Sequence, residues 1–280
     1  MSREHKKRAL PSGKAVWLQK EGWAVREKNM LRILEKSRYT VVLSGIGMMQ
    51  ESGYPLLRDG EESYDIEEKY GYSFEEIFNS GFYSARKELF FKFYKEVILK
   101  AAENPPGAGF YDLKKLQDFG LVQSIITRRI AGLEDRAGCR NVLNLKGTVF
   151  DNVCPSCGRH YSVEYVKNAR GVPLCEKCLT ALRPQVCLFG EMIDNSLMTK
   201  AAEEIAKADV LLVLGTNLST PLCSQMLQYY TGTSLILVEE MEHYTDQQAD
   251  IVIRSRCDDF LEQIAAEYER ENMDQIGEKK

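Results

Sequence analysis

At 280 residues the chain is long enough for one large domain or two small ones with a full core. Its 44% hydrophobic and 28% charged residues exclude a disordered, fibrous or collagen-like chain, and no stretch is apolar for long enough to span a bilayer. A formal net charge of −4 weighs against nucleic acid as a partner.

The charge is uneven along the chain. Met1 to Lys36 carries ten Lys/Arg against four Glu, which reads as a basic, solvated helix and tail over 1–37. A docking arm for an acidic partner is the alternative. The N-terminus is too polar for a secretory signal. Eight cysteines without an export signal argue for thiols and metal rather than disulfides, and so for the cytoplasm.

Taken in order, Trp17 to Leu34 is predicted as an amphipathic helix with Trp23, Met30, Leu31 and Leu34 on its apolar face. Strands are predicted at Tyr39–Leu43, Val122–Thr127, Val142–Leu145, Gln185–Leu188, Val210–Leu214, Leu235–Val238 and Asp250–Ile253. Short runs rich in Val, Ile and Leu suit a parallel sheet covered on both faces. Helical patterns at Tyr111–Phe119, Met198–Lys207 and Cys223–Tyr230 fall between them, and Phe260 to Tyr268 reads as a closing helix. Strands alternating with helices predict a Rossmann-like, doubly wound α/β core, built from 38–58, 105–150 and 183–268. Two stretches interrupt the alternation: a charged, aromatic-rich helical module at 59–104 and a cysteine-bearing module at 151–182.

Cys154-Pro-Ser-Cys157 and Cys175-Glu-Lys-Cys178 are two knuckles separated by seventeen residues. Each knuckle presents two thiolates to one side of a tight turn, and two knuckles close a tetrahedral shell around Zn2+. With all four positions filled by protein no water binds, so the site is structural rather than catalytic. Cys139, Cys187, Cys223 and Cys257 stand alone and read as small buried apolar residues. His160 reads as a surface or packing residue.

The segment VVLSGIGMMQESGYPLLR, Val41 to Arg58, runs an apolar strand into Gly45 and Gly47 and then into a helix start. Such a joint places phosphates on backbone N–H groups at a helix N-terminus, although many strand–turn–helix joints need a glycine or two for geometry alone. Further on stand Thr127-Arg-Arg-Ile-Ala-Gly-Leu with Arg136-Ala-Gly138, Asn144-Leu-Lys-Gly147, Arg183-Pro184, Phe189-Gly190-Glu191 and Gly215-Thr216-Asn217-Leu218. In this order, around the cysteine quartet, they resemble the sirtuins, the NAD-dependent protein deacylases, over Tyr39 to Ala265. The resemblance implies a cofactor, NAD or ADP-ribose, held by Gly45, Ile46, Gly47, Arg58, Arg128, Gly215, Thr216, Asn217 and Glu239. It also implies that Ser52 positions the loop and that Phe189 and Glu191 border an acyl-lysine tunnel.

The departures from the family gather at the chemistry. The family's Glu-Leu-His-Gly histidine, which helps deprotonate the nicotinamide ribose, is Lys146 here. The Gln-Asn-Ile-Asp that holds the carboxamide pocket is Arg128-Arg129-Ile130-Ala131, so Arg129 takes the asparagine position. The loop's usual Pro-Asp-Phe-Arg is Pro55-Leu56-Leu57-Arg58, small loop residues become Ile46 and Met49, and a ribose-facing asparagine is replaced around Glu239-Glu240. A base needs a pKa near the working pH; histidine starts there and lysine near 10.4. Lys146, Arg128, Arg129 and Arg58 are expected to converge on one cleft, with Glu239, Glu240, Glu191 or a bound anion as counter-charge. The expected function is NAD or ADP-ribose binding with weak or lost deacetylation. One alternative is an active divergent deacylase or ADP-ribosyltransferase using Lys146 or another base. The other is a non-catalytic scaffold. The expected partners are the nucleotide and an acyl-lysine protein or an anionic ligand.

Overall fold

A computed structural model describes residues 16–17, 23–58 and 60–277; residues 1–15 and 18–22 of the basic lead lie outside the described residues. In chain order the elements are β1 (Val16–Trp17), α1 (Trp23–Lys36), β2 (Thr40–Ser44) and α2 (Ile46–Glu51). A helical stretch follows: α3 (Glu61–Tyr70), α4 (Phe74–Ile77), α5 (Ser80–Ala85) and α6 (Lys87–Phe93), which runs on as a π-helical segment, Tyr94–Leu99. Then come α7 (Ala108–Asp118), β3 (Ser124–Thr127), α8 (Leu133–Arg136), β4 (Val142–Asn144), β5 (Gly147–Val153), β6 (His160–Tyr161), α9 (Val163–Asn168) and β7 (Arg183–Val186). The chain closes with α10 (Asn195–Lys207), β8 (Val210–Leu214), α11 (Pro221–Leu227), β9 (Ser234–Val238), β10 (Ile251–Ile253) and α12 (Cys257–Gly277).

The larger sheet has seven strands in the order β1-β10-β9-β8-β2-β3-β4, and every pairing in it is parallel. Side chains alternate across a strand, and here both faces are covered. Val42, Leu212, Leu214 and Ile236 face Met30 and Leu34 of α1, Leu113 and Leu116 of α7, and Leu261 and Ile264 of α12. Val41, Leu43, Leu211, Val213 and Leu235 face Ala201 and Ile205 of α10 and Leu222 and Met226 of α11. Burying one such side chain is worth about 1.5–3 kcal/mol, which is why these runs contain no polar interruption. Strand β2 lies between β8 and β3, so the order reverses at β2. Ligands of open parallel sheets sit beyond the carboxyl ends of the strands at such a reversal.

Beside this layer lies a second core. Phe90, Phe91, Phe93 and Tyr94 are fully buried and cluster with the buried side chains of Ile77, Phe78, Val149, Tyr161, Leu182 and Leu188. The helical stretch and the cysteine-bearing segment thus share one apolar interior. The small sheet, β6-β5-β7, is antiparallel.

Two expectations change. The run at Gln185–Leu188, read as part of the parallel sheet, overlaps at Gln185 and Val186 with the antiparallel strand β7, Arg183–Val186, which is hydrogen-bonded to β5. A short apolar run states that it is buried, not which partner it pairs with. Trp17, read as the start of a helix, lies in β1 opposite Val252, and the helix begins at Trp23.

Candidate functional site

Beyond the carboxyl ends of β2, β3, β4 and β8 lies a cleft of about 600 Å³, within the range of small-molecule sites. Gly45 and Ile46 follow β2, Arg128 and Arg129 follow β3, Lys146 follows β4, and Thr216 with Thr220 follows β8; all line it. The rest of the wall is mainly apolar and includes Leu56, Leu57, Phe78, Ile98, Ile130 and Val149.

The two glycine turns fit into each other. The Gly45 N–H donates to the Leu214 carbonyl at 2.9 Å, and the Gly47 N–H donates to the Gly215 carbonyl at 2.8 Å. A Cβ on Gly45 would lie 2.4 Å from both the Gly215 oxygen and the Thr216 Cβ. Gly45 therefore serves first to let β2 and β8 exits approach. The Ser52 hydroxyl donates to the Met48 carbonyl at 3.0 Å and accepts the Gly107 N–H at 3.0 Å, fixing the end of α2 to the start of α7. The Asn217 side-chain oxygen accepts from the Ser219 N–H at 3.1 Å and hydroxyl at 2.7 Å. Gly47, Gly215, Asn217 and Glu239 are not among the cleft-lining residues. Glu239 is half-buried after β9, accepts the Glu240 N–H at 3.1 Å, and has its carboxyl pKa pushed up by burial.

The cationic wall is brought together as expected. Lys146 is held on both sides: the Leu145 N–H donates to Thr127 at 2.8 Å, and the Lys146 carbonyl accepts the Cys187 N–H at 2.9 Å. Gly147 follows at φ +71°, and a Cβ there would lie 1.9 Å from the Gln185 oxygen, so only glycine lets this turn press against β7. The Lys146 ammonium sits 5.3 Å from the centre of the Phe189 ring, and the Arg58 guanidinium sits 5.6 Å from the same ring. Burial, then the charges of Arg128, Arg129 and Arg58, push the Lys146 pKa down, while Cys187 pulls it up. Burial likewise lowers Arg128 and Arg129.

The counter-charges do not go where the sequence placed them. Glu191 takes Arg183 through both oxygens, at 2.6 and 2.7 Å, and also accepts the Leu188 N–H at 2.8 Å. Arg58 pairs with Glu75, a partner that sequence reasoning missed because it arrives from the helical stretch. Among the described residues no carboxylate forms an ion pair with Arg128, Arg129 or Lys146, and Arg128 Nη1 and Arg129 Nε are buried without an acceptor. Cys187, read from sequence as a small buried residue, is half-buried and lines the cleft, where burial raises its thiol pKa against the pull of Lys146. Its place two residues before Phe189 was the available signal.

The four knuckle cysteines converge, with every Sγ within 4.8 Å of the others. Zinc–sulfur bonds of about 2.3 Å in a tetrahedron set sulfurs about 3.8 Å apart, and Cys157 and Cys175 Sγ are 3.7 Å apart. The donor set therefore fits a structural Zn2+ ion. The Tyr161 hydroxyl donates to Cys175 Sγ at 3.1 Å and the Cys178 N–H donates at 3.4 Å. The Tyr161 bond, then backbone N–H donors, bring the Cys175 pKa down to about 6, the thiolate form a metal needs. His160 is exposed and pairs with Asp151 at 2.7 Å.

Comparison with known proteins agrees with this geometry. Residues 45–221 match the model of the Sir2 family. An NAD-dependent protein deacetylase of Clostridium acetobutylicum is 33% identical over 235 residues, covering 83% of this chain and 95% of that one. The NAD-dependent protein deacylase 1 of Archaeoglobus fulgidus is 29% identical over 243 residues, covering 85% of this chain and 96% of that one. Among solved structures, a Sir2–p53 peptide–NAD+ complex superposes with a TM-score of 0.72 at 28% identity, over 86% of this chain and 97% of that chain. A structure of Sir2Tm bound to a propionylated peptide gives 0.72 at 28% identity, over 86% of this chain and 98% of that chain. With the glycine turns, the cleft and the cysteine cluster in the places described, the chain belongs to the Sir2 family.

Proposed function

We propose that the chain binds NAD or ADP-ribose in the cleft and deacetylates lysine weakly or not at all. Relatives carry the names NAD-dependent protein deacetylase and deacylase, and structural neighbours hold NAD+ or an acylated peptide. The residues present suit a dinucleotide: Gly45 and Thr216 border the cleft at the strand-order reversal, with hydroxyls of Thr216 and Thr220 beside them. NAD, when bound, supplies an electrophilic ribosyl carbon. The observation that carries the reading is Lys146 with Arg128 and Arg129 in the wall of that cleft. Three cations side by side stabilise anionic groups, and a protonated ammonium withdraws no proton from a sugar hydroxyl. Loss of a general base alone costs about 10²–10⁴-fold in rate. A cytoplasmic setting, where thiols stay reduced, suits the free cysteines.

Titration calorimetry with NAD and ADP-ribose is expected to show binding, and an acetyl-lysine peptide with NAD to release nicotinamide about 10²-fold or more below active relatives. Turnover at a relative's rate would remove the second half of the reading; absence of any binding would remove the first and favour the scaffold alternative.

The lowered pKa of Lys146 favours a second reading, in which the neutral amine is itself the base. Any turnover should then vanish in Lys146→Ala and rise with pH as the amine deprotonates. Turnover that survives the substitution unchanged excludes Lys146 from that role.

A further inference from the structure

We infer that Arg128, Arg129 and Lys146 form a binding site for the carboxylate of an organic ligand whose body is short and apolar or planar. The inference deepens the proposed reading and rests on the cleft being the ligand site. The neighbouring cations provide an internal contrast. Arg58, which also lines the cleft, is neutralised by Glu75, and Arg183, outside the lining, is neutralised by Glu191. Arg128, Arg129 and Lys146 line the cleft and form no ion pair among the described residues; Arg128 Nη1 and Arg129 Nε are buried without an acceptor, and the charge of the buried Glu134 reaches Arg129 without a hydrogen bond to it. Like charges crowded in a low-dielectric pocket are costly until an anion lies between them.

The shape of the cleft selects the anion's carrier. Leu56, Leu57, Phe78, Ile98, Ile130 and Val149 make much of the remaining wall apolar. A bare inorganic anion would leave that surface uncovered, whereas an acid on an apolar carrier removes it from water. Planar guanidinium groups match a carboxylate in two parallel hydrogen bonds. The carrier can be the acyl group of a modified lysine or a free aromatic acid, and the two are separable by experiment.

The test is titration calorimetry on the full, zinc-loaded chain with matched pairs differing in charge: nicotinate against nicotinamide, and an N-ε-succinyl-lysine peptide against its N-ε-butyryl counterpart. Each pair is run with and without saturating ADP-ribose. For at least one pair the acid is expected to bind about 10- to 100-fold tighter, the usual worth of a hydrogen bond to a charged group; the pair that shows it identifies the carrier. The preference should fall to about 2-fold or less in Arg128→Gln and in Lys146→Gln, and shrink in the wild type between about 0.05 and 0.5 M salt. The salt series stands even if a variant misfolds. Equal binding of acid and neutral counterpart in both pairs overturns the inference. So does displacement of the acid by ADP-ribose, which would give the cations to the nucleotide's phosphates. If ADP-ribose does not bind and the acid preference persists, this inference stands and the nucleotide reading fails.

Discussion

Lys146 and Gly147 show how closely chemistry and scaffold are joined at the residue scale. The turn that presents Lys146 needs Gly147 at φ +71°, against the backbone of β7. Gly147→Ala is expected to cost at least about 1–2 kcal/mol for the left-handed conformation alone, with the contact at the Gln185 oxygen added to it. Urea unfolding measures this, and an unchanged midpoint would mean the turn has another conformation. Lys146 itself is held below its ordinary 10.5, first by burial and then by the arginines. The folded chain therefore binds fewer protons at this site than the unfolded chain. Stability is reduced while pH lies below the folded pKa and recovers as pH climbs towards 10.5. Lys146→Gln should accordingly melt higher than the wild type at pH 7, and the gap should close as pH approaches 10.5. A gap constant across that interval would show that the ammonium is not confined. Lys146, Arg128 and Arg129 were legible in the sequence as a cationic group, because the motif fixes where the strands end. The pairing of Arg58 with Glu75 was not, since it joins a loop to a helical stretch whose placement no local pattern encodes.

At the scale of elements, α12 illustrates an end satisfied from a distance. Its first N–H groups, Cys257 and Asp258, donate to Glu51 at 2.9 and 2.7 Å. Glu51 is the last residue of α2, and Asp258 in turn accepts the Gly109 N–H of α7 at 3.0 Å. The carboxylate complements the positive end of the helix as well as its unpaired donors. Glu51→Ala is expected to destabilise by about 1–2 kcal/mol, read by denaturant unfolding. Loss of less than a few tenths would place the cap elsewhere. Glu51 was not found from sequence because a capping signal is sought beside its own helix, and these partners are two hundred residues apart. The β8 run, by contrast, was predicted with the bounds it has, Val210–Leu214. A continuous apolar run between helical patterns has one stable place, the middle of a covered sheet. The Gln185–Leu188 run had a similar apolar appearance, but its strand, β7, starts at Arg183 and went to the small sheet, because β5, beside which it lies, half-buried and interleaved with polar residues, carries no strong strand pattern.

Across the whole molecule, the zinc cluster and the cleft are mechanically connected. Cys154 and Cys175 share one apolar core with Val149, Val186 and Phe78, and Val149 and Phe78 also line the cleft. Stripping zinc with a chelator is expected to abolish the cooperative melt of this lobe and ligand binding in the cleft together, and Cys154→Ser to do the same. Retained ADP-ribose affinity in metal-free protein would show that the lobe folds without the ion. The sequence by itself determined the doubly wound sheet, the four thiols and the identity of every cation in the cleft. Each of those follows from local composition and spacing: apolar runs must be covered, paired knuckles must close on a metal, and residues at strand ends must point past the sheet. Only the tertiary structure decided which charges are neutralised, that Cys187 lines the cleft, and that Glu239 does not. Those outcomes depend on which distant segments come within a few ångströms, and electrostatic and packing energies fall off too steeply with distance for a linear pattern to record them.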